Sequence, residues 1–218
     1  MEHLTKCSFG AVAGLLITML TSAAGHCCYS GLLVIPTAST VGAGQYSCEY
    51  QTDGIVKGIV ADTHFFNNQF GIGDRLELGV DVDLDSQCSR RVLGNGKYVL
   101  CSKPGAFAAA VGVANLAHRW RAAPYLVADA GTRFAHLHFG VMSIDGNPCC
   151  ILGMDRQFGK LTLMCDYTSG SEGVSSVGFD YQIKDNFGVM AGALFPNDSS
   201  DTGFTLHLVW SKSLNAKS

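Results

Sequence analysis

The residues best suited to chemistry in this chain are His136 and His138, which are separated by one residue. Side chains two positions apart on a β-strand point to the same face, so the two imidazoles are expected to lie together. Imidazole is a common metal ligand, but a metal site built on such a pair would need a Glu a few residues later. The next acid is Asp145, in a predicted turn. The pair is therefore interpreted as polar groups facing a barrel lumen, and no metal or other cofactor is predicted.

The other motifs that resemble reactive sites are incomplete. Ser169–Gly173 lacks the Gly-x-Ser-x-Gly pattern of a nucleophile elbow and the helix that should follow it. Gly71 and Gly73 are not followed by the third Gly of a dinucleotide site. The cysteines show no Cys-x-x-Cys spacing for zinc, although Cys88 and Cys101 are placed to close one loop. The sequence therefore predicts a protein that is not an enzyme.

A long amphipathic strand is predicted at Asp74–Asp85, where apolar residues at even positions from Leu76 to Leu84 alternate with mostly polar residues. About ten residues suit a tilted membrane-spanning strand, which needs roughly 9–11. A second strand of this kind follows an Asp-centred turn at Lys184–Phe195. The polar faces define the candidate lumen-lining residues, which are Arg75, Glu77, Asp81, Asp83, His136, His138 and Asp180.

Composition points to a membrane environment. Charged residues make up 15% of the chain, below the roughly 25% of soluble domains, while hydrophobic residues reach 47%. The formal net charge of −3 and the lack of basic runs argue against nucleic acid as a partner. Residues 1–25 have the pattern of a secretory signal peptide, with Lys6, an apolar run and small residues near Ala24. The predicted organisation is a signal peptide over 1–25 and one β-barrel domain over 26–218.

The rest of the chain reads as short alternating segments separated by turns. Gly105–Asn115 is Ala-rich, yet its glycines and its Phe and Val alternation favour a strand over a helix. Ser86–Lys103 is predicted to be a long exposed loop with a short strand at Lys97–Cys101. We predict an all-β fold, an antiparallel transmembrane β-barrel of about 10–12 strands. A soluble secreted β-barrel, whose strands also alternate, is the alternative.

The chain resembles uncharacterised porin-like outer-membrane barrels of Gram-negative bacteria. The resemblance rests on the signal peptide, the Gly31–Ala38 opening with Pro36-Thr37-Ala38, and the two turns centred on Asp74 and Asp185, each directly before an alternating strand. The opening is also similar to barrels associated with exopolysaccharide export. One departure is that residues Ser211–Ser218 follow Trp210, where such barrels end on an aromatic residue.

The resemblance implies an outer-membrane location, contact with a lipid bilayer, and passive passage of small polar solutes or a structural membrane role. The soluble alternative would instead bind a small ligand or a metal. The two differ in the direction of the apolar faces, which point outward to lipid in the first and inward to a core in the second.

Overall fold

The computed structural model describes residues 30–85, 91–117 and 121–214, and in these ranges the chain forms a closed barrel of twelve strands. Each strand pairs antiparallel with its sequence neighbours, and the last pairs with the first. The predicted antiparallel barrel of 10–12 strands is therefore confirmed. The strands are β1 (Gln45–Ile55), β2 (Val60–Ile72), β3 (Leu76–Asp83), β4 (Arg91–Lys103), β5 (Phe107–Leu116), β6 (Ala123–Gly131), β7 (His136–Ile144), β8 (Asn147–Phe158), β9 (Leu161–Thr168), β10 (Val174–Lys184), β11 (Phe187–Pro196) and β12 (Gly203–Ser213).

The two ends of the barrel differ in their connections. At one end, which we call the hairpin end, β1 begins, β12 ends, and brief turns of two to four residues join β2 to β3, β4 to β5, β6 to β7, β8 to β9 and β10 to β11. Gly73 adopts a φ of +63° in the first of these turns, a conformation that glycine tolerates readily. The opposite end, the loop end, includes longer connections such as residues 169–173 and 197–202, although β7 and β8 are joined there by residues 145–146 alone.

Two sequence expectations meet different outcomes on β4 and β5. Phe107–Leu116 is a strand, as its alternation predicts. Ser86–Lys103 is not a long loop, because Arg91–Lys103 forms a thirteen-residue strand that pairs with β3 and β5. Its glycines and isolated charges hide the alternation of Leu93, Asn95, Lys97 and Val99, all of which are buried.

Of the two cysteines placed to close this predicted loop, Cys88 lies outside the described residues, and Cys101 is exposed on β4.

The interior of the barrel contains residues 30–41 of the same chain, which we call the inner segment. It enters before β1 and doubles back in a tight turn, with a bridge between Gly31 and Pro36 and a 3.0 Å hydrogen bond from Leu32 N to Ile35 O. Its apolar residues contact inward-facing apolar side chains of the barrel wall. The resulting core includes Leu32, Leu33, Val34, Ile35, Val99, Tyr125, Val127, Met142, Ile151 and Met164.

The predicted signal peptide, residues 1–25, lies outside the described residues. Within the described part of the chain there is no helix long and apolar enough to cross a membrane.

Candidate functional site: the barrel lumen

The outer surface of the barrel is apolar around its circumference. Leu78 and Val80 are each 44% exposed, and Leu208 is 40% exposed. Large apolar residues are similarly exposed on every strand from β1 to β12, among them Phe66, Tyr98, Val111, Leu126, Val141, Leu152, Leu163, Phe179, Tyr181, Phe195 and Leu206. Soluble proteins rarely expose a contiguous apolar patch larger than a few hundred Å². This surface is therefore built to contact an apolar medium.

The height of the apolar belt can be read along β3 and its continuation. Leu76 to Leu84 is eight residue steps, roughly 27 Å along the strand and ~20 Å along the axis at a tilt of ~40°. Outer-membrane barrels carry an apolar band about 25 Å tall. Aromatic residues border the belt at the hairpin end, where the Tyr46 ring centroid lies 4.9 Å from that of Phe70 and 6.1 Å from that of Trp210.

The lumen wall formed by β1–β4 and β12 is polar and tightly hydrogen-bonded. Asp81 accepts hydrogen bonds from Gln69, at 3.4 Å, and from Asn95. Asn67 Nδ2 donates to Glu49 and to Gln51, each at 3.1 Å. Asp81 and Asn67 are both 0% exposed. Polar side chains thus fill this half of the lumen at mid-height and hydrogen-bond to one another, although the buried Asn67 Oδ1 has no hydrogen-bond partner among the described residues.

A Thr–His–Glu chain lies within the same polar half. Thr205 Oγ1 is 2.6 Å from His207 Nε2, and His207 Nδ1 is 2.8 Å from Glu49 Oε1. This is the order of nucleophile, base and orienting acid in nucleophilic enzymes. However, His207 is 0% exposed and Thr205 is 3% exposed, and Thr205 Oγ1 also donates to Asp53 at 2.6 Å. No substrate can reach the Thr205 hydroxyl, so these three hydrogen-bonded side chains act as a structural link between β1 and β12.

His138 is held between two carboxylates near the hairpin end. Its Nδ1 lies 2.8 Å from Asp129 Oδ1 and its Nε2 lies 2.7 Å from Asp155 Oδ1. Both contacts are hydrogen bonds only when the ring carries both protons, since a carboxylate only accepts. Such a ring has no lone pair for a metal ion. In residues 30–85, 91–117 and 121–214 no group of three or more His, Cys, Asp or Glu side chains is arranged to hold one.

The inner segment is bound to the wall by charged side chains along its length. Lys97 Nζ donates to the carbonyl oxygens of Ser30, at 2.6 Å, and Ser39, at 2.8 Å. Glu77, whose Oε1 lies 3.8 Å from Lys97 Nζ, accepts the Ser30 hydroxyl and, at 2.7 Å, the Val41 N–H. The Lys97 and Glu77 side chains are 1% and 3% exposed, so this ion pair is screened from water.

Two further carboxylates hold the middle of the segment. Asp166 Oδ2 accepts the N–H of Val34 at 3.0 Å, and Asp166 Oδ1 accepts the Ser176 hydroxyl at 2.5 Å. Asp129 Oδ2 accepts the N–H of Ala38 at 2.8 Å. These bonds satisfy backbone donors that would otherwise be buried without partners.

A cavity of about 440 Å³ remains beside the inner segment, toward the hairpin end. Its wall combines the apolar residues Phe187, Met190 and Val209 with the polar residues Ser47, Glu49, Gln69, Asp180, Gln182, Asp185, Asn186 and Ser211. Ser30, Thr37 and Ser39 of the inner segment line its other side. The cavity offers carboxylates and amides, but its lining contains no Lys or Arg.

The candidate lumen residues occupy three kinds of position. Glu77, Asp81 and Asp83 point inward and are 2%, 0% and 9% exposed, in contacts that leave little room for water. His138 also points inward and is 5% exposed. Asp180 lines the open cavity.

Arg75 and His136 do not lie inside the lumen. Arg75 is exposed in the turn before β3, because that turn takes residues 73–75 and the strand begins at Leu76. His136 is the first residue of β7 and is exposed at the rim, opposite Asp155. The two histidines lie on the same face of β7, but only His138 is far enough from the rim to be enclosed by neighbouring strands.

Of the groups that bind the inner segment, Glu77 was predicted to line the lumen, whereas Lys97, Asp129 and Asp166 were not singled out. Lys97 begins the short strand predicted within a long loop, and Asp129 and Asp166 lie on predicted strands. Asp166 alternates with Leu163, Cys165 and Tyr167. This pattern predicts that the Asp166 side chain points away from the apolar face, but it does not predict which group the carboxylate binds.

Comparisons with known proteins bear on the fold. No protein-family model and no curated protein matches the chain. The KdgM porin in complex with disordered oligogalacturonate superimposes with a TM-score of 0.60 at 15% identity, covering 75% of this chain and 98% of that one. A second KdgM porin structure gives a TM-score of 0.59 at 16% identity, with the same coverage. The resemblance to porin-like barrels is thus confirmed for the fold: this chain folds as a twelve-stranded barrel similar to that of the KdgM porin.

Proposed function

We propose that the protein is an exported outer-membrane β-barrel whose mature domain follows a signal peptide at residues 1–25 and whose lumen passes small polar solutes without catalysis. The observation that carries the membrane part is the apolar belt around the outside of the barrel, with polar residues inside. In a bilayer this arrangement satisfies every backbone group through the closed sheet and places apolar side chains against lipid.

The solute class follows from the charges inside. Acidic groups facing the lumen outnumber basic ones. The basic residues include Arg91, Lys97, His138 and His207. The acidic residues are Glu49, Asp53, Glu77, Asp81, Asp83, Asp129, Asp155, Asp166 and Asp180. A lumen of this sign attracts cations and repels anions. The solutes are therefore small, polar, and neutral or cationic, unlike the oligogalacturonate polyanion in the KdgM complex.

No catalytic step belongs to this proposal. The Thr205–His207–Glu49 chain is sealed inside the wall and has no room for a substrate. A structural membrane role without transport is the second candidate, and it is favoured by the filled mid-height of the lumen, where Asp81, Asn67 and His207 are 0% exposed.

The test is ion conductance of the purified, refolded protein in planar bilayers under a salt gradient. The proposal expects discrete current steps with a reversal potential on the cation-selective side. Anion selectivity would refute the proposed solute class. Absence of current, both in the wild type and in variants that loosen the lumen, would leave the structural role.

A further inference from the structure

The inner segment occupies the lumen at mid-height of the barrel. Ile35 is 0% exposed and Leu33 is 4% exposed, and both are packed against apolar wall residues. On the other side of the lumen, Lys97 and Glu77 are each 2% exposed. A solute that enters the 440 Å³ cavity at the hairpin end therefore meets the inner segment before it reaches the loop end.

The wall is shaped to receive this segment. A methyl group built on Gly153 would lie 2.6 Å from Leu32 Cδ1 and 2.7 Å from Ile35 Cδ1. One built on Gly192 would lie 2.7 Å from Leu33 Cδ1. Real Cβ atoms do not approach other atoms so closely. Because Gly153 and Gly192 have no side chains, they leave the space that Leu32, Leu33 and Ile35 occupy.

The inner segment is bound to the barrel without being part of its sheet. Its hydrogen bonds to the wall run to side chains, namely those of Glu77, Lys97, Asp129 and Asp166. The barrel closes through the β1–β12 pairing, which begins at Gln45, after the segment ends. The segment can therefore shift without breaking a strand pair.

We infer that residues 30–41 are a resident plug that sets the conductance of the lumen, and that Lys97 and Glu77 are positioning residues that hold its two ends. This inference rests on the proposed pore function. Lys97 is central because one ammonium group binds the carbonyl oxygens of both Ser30 and Ser39. Loss of that group removes one hydrogen bond at each end of the segment and leaves Glu77 without its cation.

Two full-length variants loosen the plug by different routes. Lys97→Met removes the ammonium group but keeps an unbranched side chain of similar reach. Gly153→Leu fills the space occupied by Leu32 and Ile35 without replacing any charged side chain. Lys103→Met is the matched control, because Lys103 lies on the same strand, is exposed at the hairpin end, and carries the same charge.

Two measurements are made on all four proteins after heat-modifiable gel mobility has shown that the barrel is folded. The first is planar-bilayer conductance, which we expect to rise several-fold in Lys97→Met and Gly153→Leu relative to the wild type and Lys103→Met. The second is amide hydrogen exchange. We expect faster exchange at Val34, Ala38 and Val41, whose N–H groups bind wall carboxylates, with unchanged exchange on the strands.

The outcomes separate the plug from the pore. Equal conductance in all four proteins would overturn the plug and leave the pore standing. No current in any of the four proteins, with faster exchange at the three amides of the two loosened variants, would refute the pore function and with it the control of conductance by the plug. Equal loss of protection on the segment and the strands would show that the segment is an ordinary part of the core, and would also overturn the inference.

Discussion

Replacing Val80 by Arg tests whether the outer belt contacts lipid. Val80 lies on β3, is 44% exposed, and pairs with Asn68 on β2 and Gly94 on β4. The matched control is Ile72→Arg, because Ile72 is 49% exposed and is the last residue of β2 at the hairpin end. The two positions present similar apolar area and differ in depth.

The expected difference can be worked from the register. Ile72 pairs with Leu76, and Val80 is four residues further along β3. Four residues span roughly 13 Å along a strand and ~10 Å along the axis at a tilt of ~40°. Val80 therefore lies near the middle of the belt, where Arg costs about 2–4 kcal/mol in a bilayer, whereas near the interface the cost falls to about 0–1 kcal/mol.

The assay is a urea titration of reversible folding into lipid vesicles, which gives the free energy of unfolding for each variant. A soluble barrel would tolerate Arg at either exposed site within roughly 0.5 kcal/mol. Losses below that limit at both positions, or equal losses of several kcal/mol, would refute the assignment of Val80 to the lipid-facing midplane.

Three further substitutions test the interior. Ile35→Ala should lower the free energy of unfolding in the same titration by roughly 2–5 kcal/mol, because it leaves a cavity around a 0% exposed side chain; a loss near zero would place Ile35 in solvent. Asp166→Asn should cost about 1–3 kcal/mol in that titration, because the carboxylate that accepts the Val34 N–H is weakened, and an unchanged value would mean that this contact is not formed. Asp180→Asn should move the reversal potential toward zero in a bilayer recording, because Asp180 lines the cavity. Glu172→Gln, in an exposed loop, should leave the reversal potential unchanged. Equal shifts in the two variants would contradict the assigned ion path.

The direction of side chains could be predicted from the sequence because strand alternation has a period of two. Leu78 and Val80 face outward and Glu77 and Asp81 face inward, as the pattern indicates. The strand with weak alternation, β4, was misread, since Gly94 and Gly96 leave gaps on its outward face. Alternation also predicts which face of a strand a side chain points to, but not how far along the barrel it lies. For this reason His136 and His138 were not distinguished.

The contents of the lumen could not be predicted in the same way. An inward acid on an amphipathic strand has the same sequence signal whether it faces water or binds other protein groups. Asp81 could therefore be predicted to line the lumen, but not to be buried there. The one signal for the inner segment was the unbroken apolar run Leu32–Ile35 between Gly31 and Pro36. An apolar run without alternation is typical of a fully buried segment. Its partners, Asp129 and Asp166, are more than 90 residues away in sequence.

The central claim is that this barrel is an integral outer-membrane protein, and cell fractionation with gel mobility tests it most directly. The account predicts that the mature protein is recovered in the outer-membrane fraction, is released only by detergent, and migrates differently in unheated and boiled samples. Recovery in a detergent-free soluble fraction, with the apolar belt exposed to water, would contradict it.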